Sequence, residues 1–98
     1  MKISKKTAKV AAQFLKKIGH PDRLLTSCHL TEFPLSAGEL ANHSELRLSA
    51  FSQHLAILRK AKLVEVTREA QTLYYSIKDP SVLALLSTLK TIFCPEKS

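Results

Sequence analysis

Three regimes of hydrophobic spacing follow one another along this chain, and their order limits the folds open to it. Up to Ala61 the apolar residues recur every three or four positions, the period of a helix that buries one face. From Leu63 to Ile77 the pattern becomes β-branched and aromatic. Leu63-Val64-Glu65-Val66-Thr67-Arg68 and Thr72-Leu73-Tyr74-Tyr75-Ser76-Ile77 read as two strands, joined by Glu69-Ala70-Gln71 without a glycine. Helical spacing returns after Asp79 and runs to Phe93. With 98 residues, one domain must contain all three regimes.

The helical stretches divide at turn chemistry. Residues 4 to 18 carry Val10, Ala11, Phe14, Leu15 and Ile18 on one stripe, with Gly19 expected in the C′ position and Pro21 opening the next helix. The second helix is expected from Pro21 to Glu32, with Asp22 in its first turn and Leu24, Leu25, Cys28 and Leu30 facing inward. Thr26 and Ser27 are indifferent helix formers, so packing must support this element. Pro34 breaks the pattern, and Ser36-Ala37-Gly38-Glu39 has capping-box spacing for a short helix to about Asn42.

A turn at His43-Ser44-Glu45 leads into a helix over 46 to 61. Its inner face is Phe51, Leu55 and Leu58, and Ser49, Ser52, Gln53 and Arg59 lie on its other faces. The last helix, opened by Asp79-Pro80-Ser81 and closed by Pro95, carries Val82, Leu83, Leu85, Leu86, Leu89, Ile92 and Phe93. That is more apolar surface than one small core can use, which implies a partner helix across a dimer interface.

The expected fold is therefore mainly α with a small β-hairpin wing, in the order α-α-α-α-β-β-α. It reads as one winged helix-turn-helix domain over 1 to 98. The helix-turn-helix occupies about 36 to 61 and the wing about 63 to 77. The first and last helices, about 4 to 18 and 81 to 94, are expected to form a homodimer.

Charge then points to a partner. Fifteen Lys and Arg against eight Asp and Glu give +7, and the excess is divided. Residues 1 to 17 contribute +6 and residues 47 to 68 contribute +4, whereas residues 22 to 46 are net −3. The second basic block coincides with the expected recognition helix and wing, as a polyanionic partner requires. The composition, with two glycines and four prolines, excludes collagen-like and low-complexity chains. No apolar run is long enough to span a bilayer, and the basic N-terminus lacks the apolar core of a signal peptide, so a cytoplasmic location and no membrane partner are expected. Cys28 and Cys94 are too far apart for a CxxC or zinc-finger pattern, and nothing suggests an enzyme or a bound cofactor.

Several segments resemble one family. Phe14-Leu-Lys-Lys-Ile-Gly-His-Pro-Asp-Arg-Leu-Leu25, Leu35-Ser-Ala-Gly-Glu-Leu40, Leu48-Ser-Ala-Phe-Ser-Gln-His-Leu-Ala-Ile-Leu-Arg59 and the stretch Leu63 to Ile77 are similar to ArsR-type winged helix-turn-helix repressors over about residues 10 to 94. The resemblance implies a homodimer that binds palindromic operator DNA and leaves it when an inducer changes its shape. It implies DNA contacts from Ser49, Ser52, Gln53 and His54 on the recognition helix, and from Arg68 and Gln71 in the wing. Arg47 and Leu48 stand where relatives carry a serine N-cap and a glutamine, so they are counted with the DNA-facing residues, with Ser44 as a substitute cap.

The standard metal sites of the family have no counterpart here: neither a cysteine pair in the third helix nor a His/Asp/Glu set on the last. Cys28 and Cys94 instead match the two-cysteine branch that senses oxidants or reactive sulfur by joining its thiols. Its inducer is a small oxidant or reactive sulfur compound, and His29 beside Cys28 is expected to lower a thiol pKa. Two alternatives stay open: a metal-responsive repressor with an unorthodox site, or a constitutive DNA-binding or antirepressor protein with inert thiols.

Overall fold

In the computed structural model, residues 1 to 94 are described. Five helices and three strands follow in the order α1 (Lys5–Ile18), α2 (Pro21–His29), β1 (Leu35–Ser36), α3 (Ala37–Ala41), α4 (Leu48–Lys60), β2 (Val64–Glu69), β3 (Thr72–Ile77) and α5 (Pro80–Phe93). This is a winged helix-turn-helix, formed by α3, the turn and α4, then the β2–β3 hairpin. None of the described helices is long and apolar enough to cross a membrane.

Local chemistry sets most boundaries. The Ser4 hydroxyl accepts the Thr7 N–H at the start of α1, and the Asp79 carboxylate accepts the Ser81 N–H at the start of α5, ahead of Pro80. Ser36 and Glu39 form the expected reciprocal capping box on α3, at 3.1 and 2.9 Å. α2 is capped by a histidine: His20 Nδ1 accepts the Asp22 N–H at 3.1 Å.

The helix-turn-helix departs from expectation at its second start. α4 begins at Leu48 with Arg47 as an N-cap that makes no side-chain bond. The Ser44 hydroxyl is taken by the Leu46 N–H, so it tightens the turn and does not cap α4.

Three further expectations are corrected. α2 ends at His29, since the chain turns at Leu30 to reach β1. Gly19 is the C-cap of α1 in right-handed conformation, not a left-handed C′; a Cβ there would lie 2.8 Å from the Leu15 carbonyl oxygen. β1, two residues long, pairs with β3 (Leu35 opposite Tyr75, Ser36 opposite Tyr74) and makes a three-stranded antiparallel sheet in the order β1-β3-β2. A two-residue strand has no period to detect.

The core is one cluster beneath α4. Phe51, Leu55 and Leu58 meet Ile18 of α1, Leu30 after α2, Leu40 of α3, Leu63 and Val64 at the root of the wing, and Val82 and Leu86 of α5. In α2 the inward positions are Thr26 and Ser27, while Leu25 and Cys28 are exposed. Both buried hydroxyls bond back along the helix, Thr26 to the Asp22 carbonyl at 2.7 Å and Ser27 to the Arg23 carbonyl at 2.9 Å, so neither is buried unpaired.

The passage from α4 into the wing is a Schellman motif. Leu63 N–H bonds to the Leu58 carbonyl and Lys62 N–H to the Arg59 carbonyl, with Leu58 and Leu63 both buried. The motif needs a left-handed residue at C′, and Lys62 supplies it at φ 63°. A Cβ in that conformation costs roughly 1–2 kcal/mol. Lys62→Gly is expected to stabilise the domain by about 1 kcal/mol, net of the added freedom of the unfolded chain. A denaturant titration reads this as a higher midpoint at unchanged slope.

Candidate nucleic-acid interface and thiol pair

α4 has two chemically distinct sides. The inner one carries Phe51, Leu55 and Leu58; the outer one leaves Ser49, Ser52 and Gln53 exposed on one strip at helical spacing. Arg47 and Leu48 are exposed at its N-terminal end, Leu48 at 53%. Short polar side chains on such a strip let a helix approach a groove closely, and a carboxamide such as that of Gln53 can bond an adenine edge twice.

The wing carries the basic and polar residues expected of it. β2 and β3 are paired from Val64–Ile77 to Glu69–Thr72, leaving Ala70-Gln71 as a two-residue loop. Ala70 takes φ 56°, the left-handed position that glycine usually fills in such a loop. The Arg68 Nε donates to the Ala70 carbonyl at 3.0 Å, which fixes the guanidinium at the wing tip beside exposed Gln71.

His54 is set apart from the other candidates. It is half-buried on the shoulder of α4, its ring 4.3 Å from that of His20, and Arg23 Nη1 lies 3.1 Å from its Nδ1. Arg23 also donates through Nε to the Lys17 carbonyl at 2.6 Å. One guanidinium therefore ties the end of α1 and the start of α2 to the recognition helix. Burial holds the His54 pKa below the ordinary histidine value, with the neighbouring His20 and Arg23 adding to this and Asp22 opposing it.

The two thiols share a groove between α2 and α5. It encloses about 690 Å³ and is lined by Leu24, Cys28, Leu83, Leu86, Phe93 and Cys94, with Lys90 and Glu32 also on its wall. Cys28 comes from the last turn of α2, and Cys94 is the C-cap of α5. Both are free thiols reaching solvent. Pro95, read from sequence as the end of this helix, lies outside the described residues.

The expected electrostatics of Cys28 is corrected. Burial against the groove wall raises its pKa, and the nearby Cys94 raises it further. His29 does not supply a compensating cation, because its own pKa is lowered, first by burial and then by His43, whose ring stacks on it at 4.5 Å. A neutral imidazole gives no charge with which to stabilise a thiolate.

Comparison with known proteins adds to this geometry. Residues 20–66 match the family described as "Bacterial regulatory protein, arsR family". The chain is 47% identical over 90 residues to the HTH-type transcriptional regulator YgaV of Escherichia coli, covering 91% of each protein. Among solved structures, it is similar to reduced HlyU from Vibrio cholerae (TM-score 0.85, 39% identity, 91% of this chain and 94% of that one). The transcriptional repressor BigR from Xylella fastidiosa gives TM-score 0.84 at 35% identity, covering 91% of both chains.

The raised thiol is testable by itself. Alkylation of Cys28 by iodoacetamide, followed by mass spectrometry across pH, is expected to have its midpoint above the ordinary thiol value. Cys94→Ser should bring the midpoint down only part of the way, because burial is the larger cause. A midpoint at or below the ordinary value contradicts the assignment.

Proposed function

The chain belongs to the arsR family of bacterial regulatory proteins, and on that premise we propose that it is a dimeric transcriptional regulator of operator DNA, released by joining Cys28 to Cys94. The observation that carries the switch is the shared groove: two thiols from two different helices line one cavity. The relatives support the class, since they are named a transcriptional regulator and a repressor, and one is a HlyU solved in a form described as reduced.

DNA recognition follows from the exposed strip of α4 and the tip of the wing. Ser49, Ser52 and Gln53 face base edges, and Arg47 and Leu48 lead the helix into the groove. Arg68 and Gln71 meet the backbone alongside. His54 acts through the position of α4, because its Nδ1 is occupied by Arg23. Dimerisation supplies the second half-site. Val10 and Leu15 on α1, and Leu83, Ile92 and Phe93 on α5, are exposed apolar residues on the two helices expected to meet a partner, Phe93 at 75% exposure.

The chemistry of the switch balances with either inducer class. With a peroxide, the Cys94 sulfur takes one oxygen atom and the remainder leaves as water or an alcohol; the Cys28 thiolate then displaces water to form the S–S bond. With a persulfide, Cys94 takes the outer sulfur and a thiol leaves. Cys28 then attacks the inner sulfur and expels hydrogen sulfide. A disulfide requires the cysteine Cα atoms to lie within about 7 Å, so the bridge fixes the end of α5 against α2. As α5 also bears the exposed dimer face, its movement alters the spacing of two recognition helices that must match half-sites about 34 Å apart.

Two measurements test this reading. Peroxide or a persulfide donor is expected to weaken operator binding by roughly 5- to 150-fold, the range of ordinary allosteric couplings, and reductant should reverse it. Cys28→Ser and Cys94→Ser should each abolish the response; a response that survives in both variants rejects the thiol switch. Arg68→Ala is expected to weaken binding to all sequences alike and to flatten the logarithmic salt dependence by about 0.9, one phosphate contact. An unchanged slope removes Arg68 from the interface.

A further inference from the structure

Among the described residues, His20, Asp22 and His54 bring two imidazole nitrogens and a carboxylate oxygen within 4.8 Å of one another. His20 and Asp22 flank the start of α2, whereas His54 lies midway along α4. No two of the chain's histidines have helical ligand spacing, which is why the sequence points to no metal ligand here.

The ring protonation is fixed by the neighbours. Arg23 cannot accept a hydrogen bond, so the His54 Nδ1 facing it at 3.1 Å must be the lone-pair nitrogen. The His20 Nδ1 accepts the Asp22 N–H, so it too carries a lone pair and its proton sits on Nε2. Metal ligation needs an imidazole lone pair, and here each Nδ1 lone pair is already engaged, by the Arg23 guanidinium on His54 and by the Asp22 N–H on His20, so an ion bound there must displace these donors. Side-chain exposures of 40% for His20 and 31% for Asp22 leave an entry path.

We propose that His20, Asp22 and His54 form a binding site for a borderline divalent cation of the zinc class, in which the ion displaces the Arg23 guanidinium. Two nitrogens and one carboxylate oxygen suit Zn²⁺, Co²⁺ or Ni²⁺ and leave outer positions to water. Ligand atoms about 2.0–2.2 Å from an ion stand roughly 3.4 Å apart, so the three donors draw together by about an ångström. Arg23 holds a permanent positive charge against this site and competes with the ion. The consequence is a modest affinity and an exchange of one cation for another at the contact between α2 and the recognition helix. This input is separate from the thiol pair, and neither depends on the other.

The test uses the full chain with Cys28→Ser and Cys94→Ser, so that no thiolate can ligate. Titration with Co²⁺, followed by visible absorption and by competition with Zn²⁺, is expected to give one equivalent with nitrogen and oxygen ligation. His54→Gln and His20→Asn, the latter keeping a side chain that can cap α2, should each weaken binding by more than the roughly 10- to 100-fold typical of losing an outer-shell partner. His29→Gln, at the other histidine pair, should leave it unchanged. Arg23→Gln is expected to tighten binding about tenfold by removing the competing charge. Absence of binding to the cysteine-free protein overturns the proposal. So does binding that follows His29 in place of His20 and His54, or that Arg23→Gln leaves no tighter.

Discussion

The structure depends on keeping α4 buried along one face and bare along the other. Phe51, Leu55 and Leu58 are the point where α1, α2, α3, α5 and the base of the wing meet, so the helix that faces outward with Ser49, Ser52 and Gln53 is also the central strut of the core. Truncation of a buried phenylalanine such as Phe51 typically costs 3–5 kcal/mol, a large share of a small domain's stability. The recognition surface is therefore as rigid as the core behind it. The buried face and the exposed strip belong to one 13-residue helix, so a shift of an element packed on α4 is passed to the strip through that helix.

Much of this was legible in the residues. The order of helices and wing strands followed from hydrophobic period, and the starts of α3 and α5 from the Ser36–Glu39 capping box and the Asp79-Pro80 pair. What escaped was decided by contacts distant in sequence or by choices that spacing leaves open. β1 exists because Leu35 and Ser36 find Tyr75 and Tyr74, forty residues on. Thr26 and Ser27 take inward positions where Leu25 and Cys28 were expected, because a hydroxyl can be buried once it bonds back to a carbonyl in its own helix. The left-handed residues, Lys62 and Ala70, carry no glycine to announce them.

The functional residues divide along the same line. The exposed strip of α4 and the wing tip were readable because they lie on continuous elements of known period. The pairing of Cys28 with Cys94 was expected from likeness to a family, and the two free thiols line one groove. Its electrostatics was not readable at all. His29 looked like an activating neighbour in sequence, yet partial burial and then His43 hold its pKa down, so it does not offset the burial that raises the Cys28 thiol. A reluctant Cys28 suits a resolving thiol, which needs only to attack a sulfur that has already been activated.

α2 joins these parts. Its nine residues make a rod of about 13 Å, with Cys28 near one end and Arg23 in the first turn at the other. At the far end Arg23 holds the Lys17 carbonyl and the His54 ring together, so a tilt of α2 is felt by α1 and by α4 at once. A bond between Cys28 and Cys94 pulls on the thiol end of this rod, and an ion at His20, Asp22 and His54 would release the arginine at the other. Two chemically unrelated signals would then converge on one element that packs on both α1 and the recognition helix. A short helix suits that role because it has too few turns to bend between its ends, and a displacement imposed on one terminus arrives at the other as rotation.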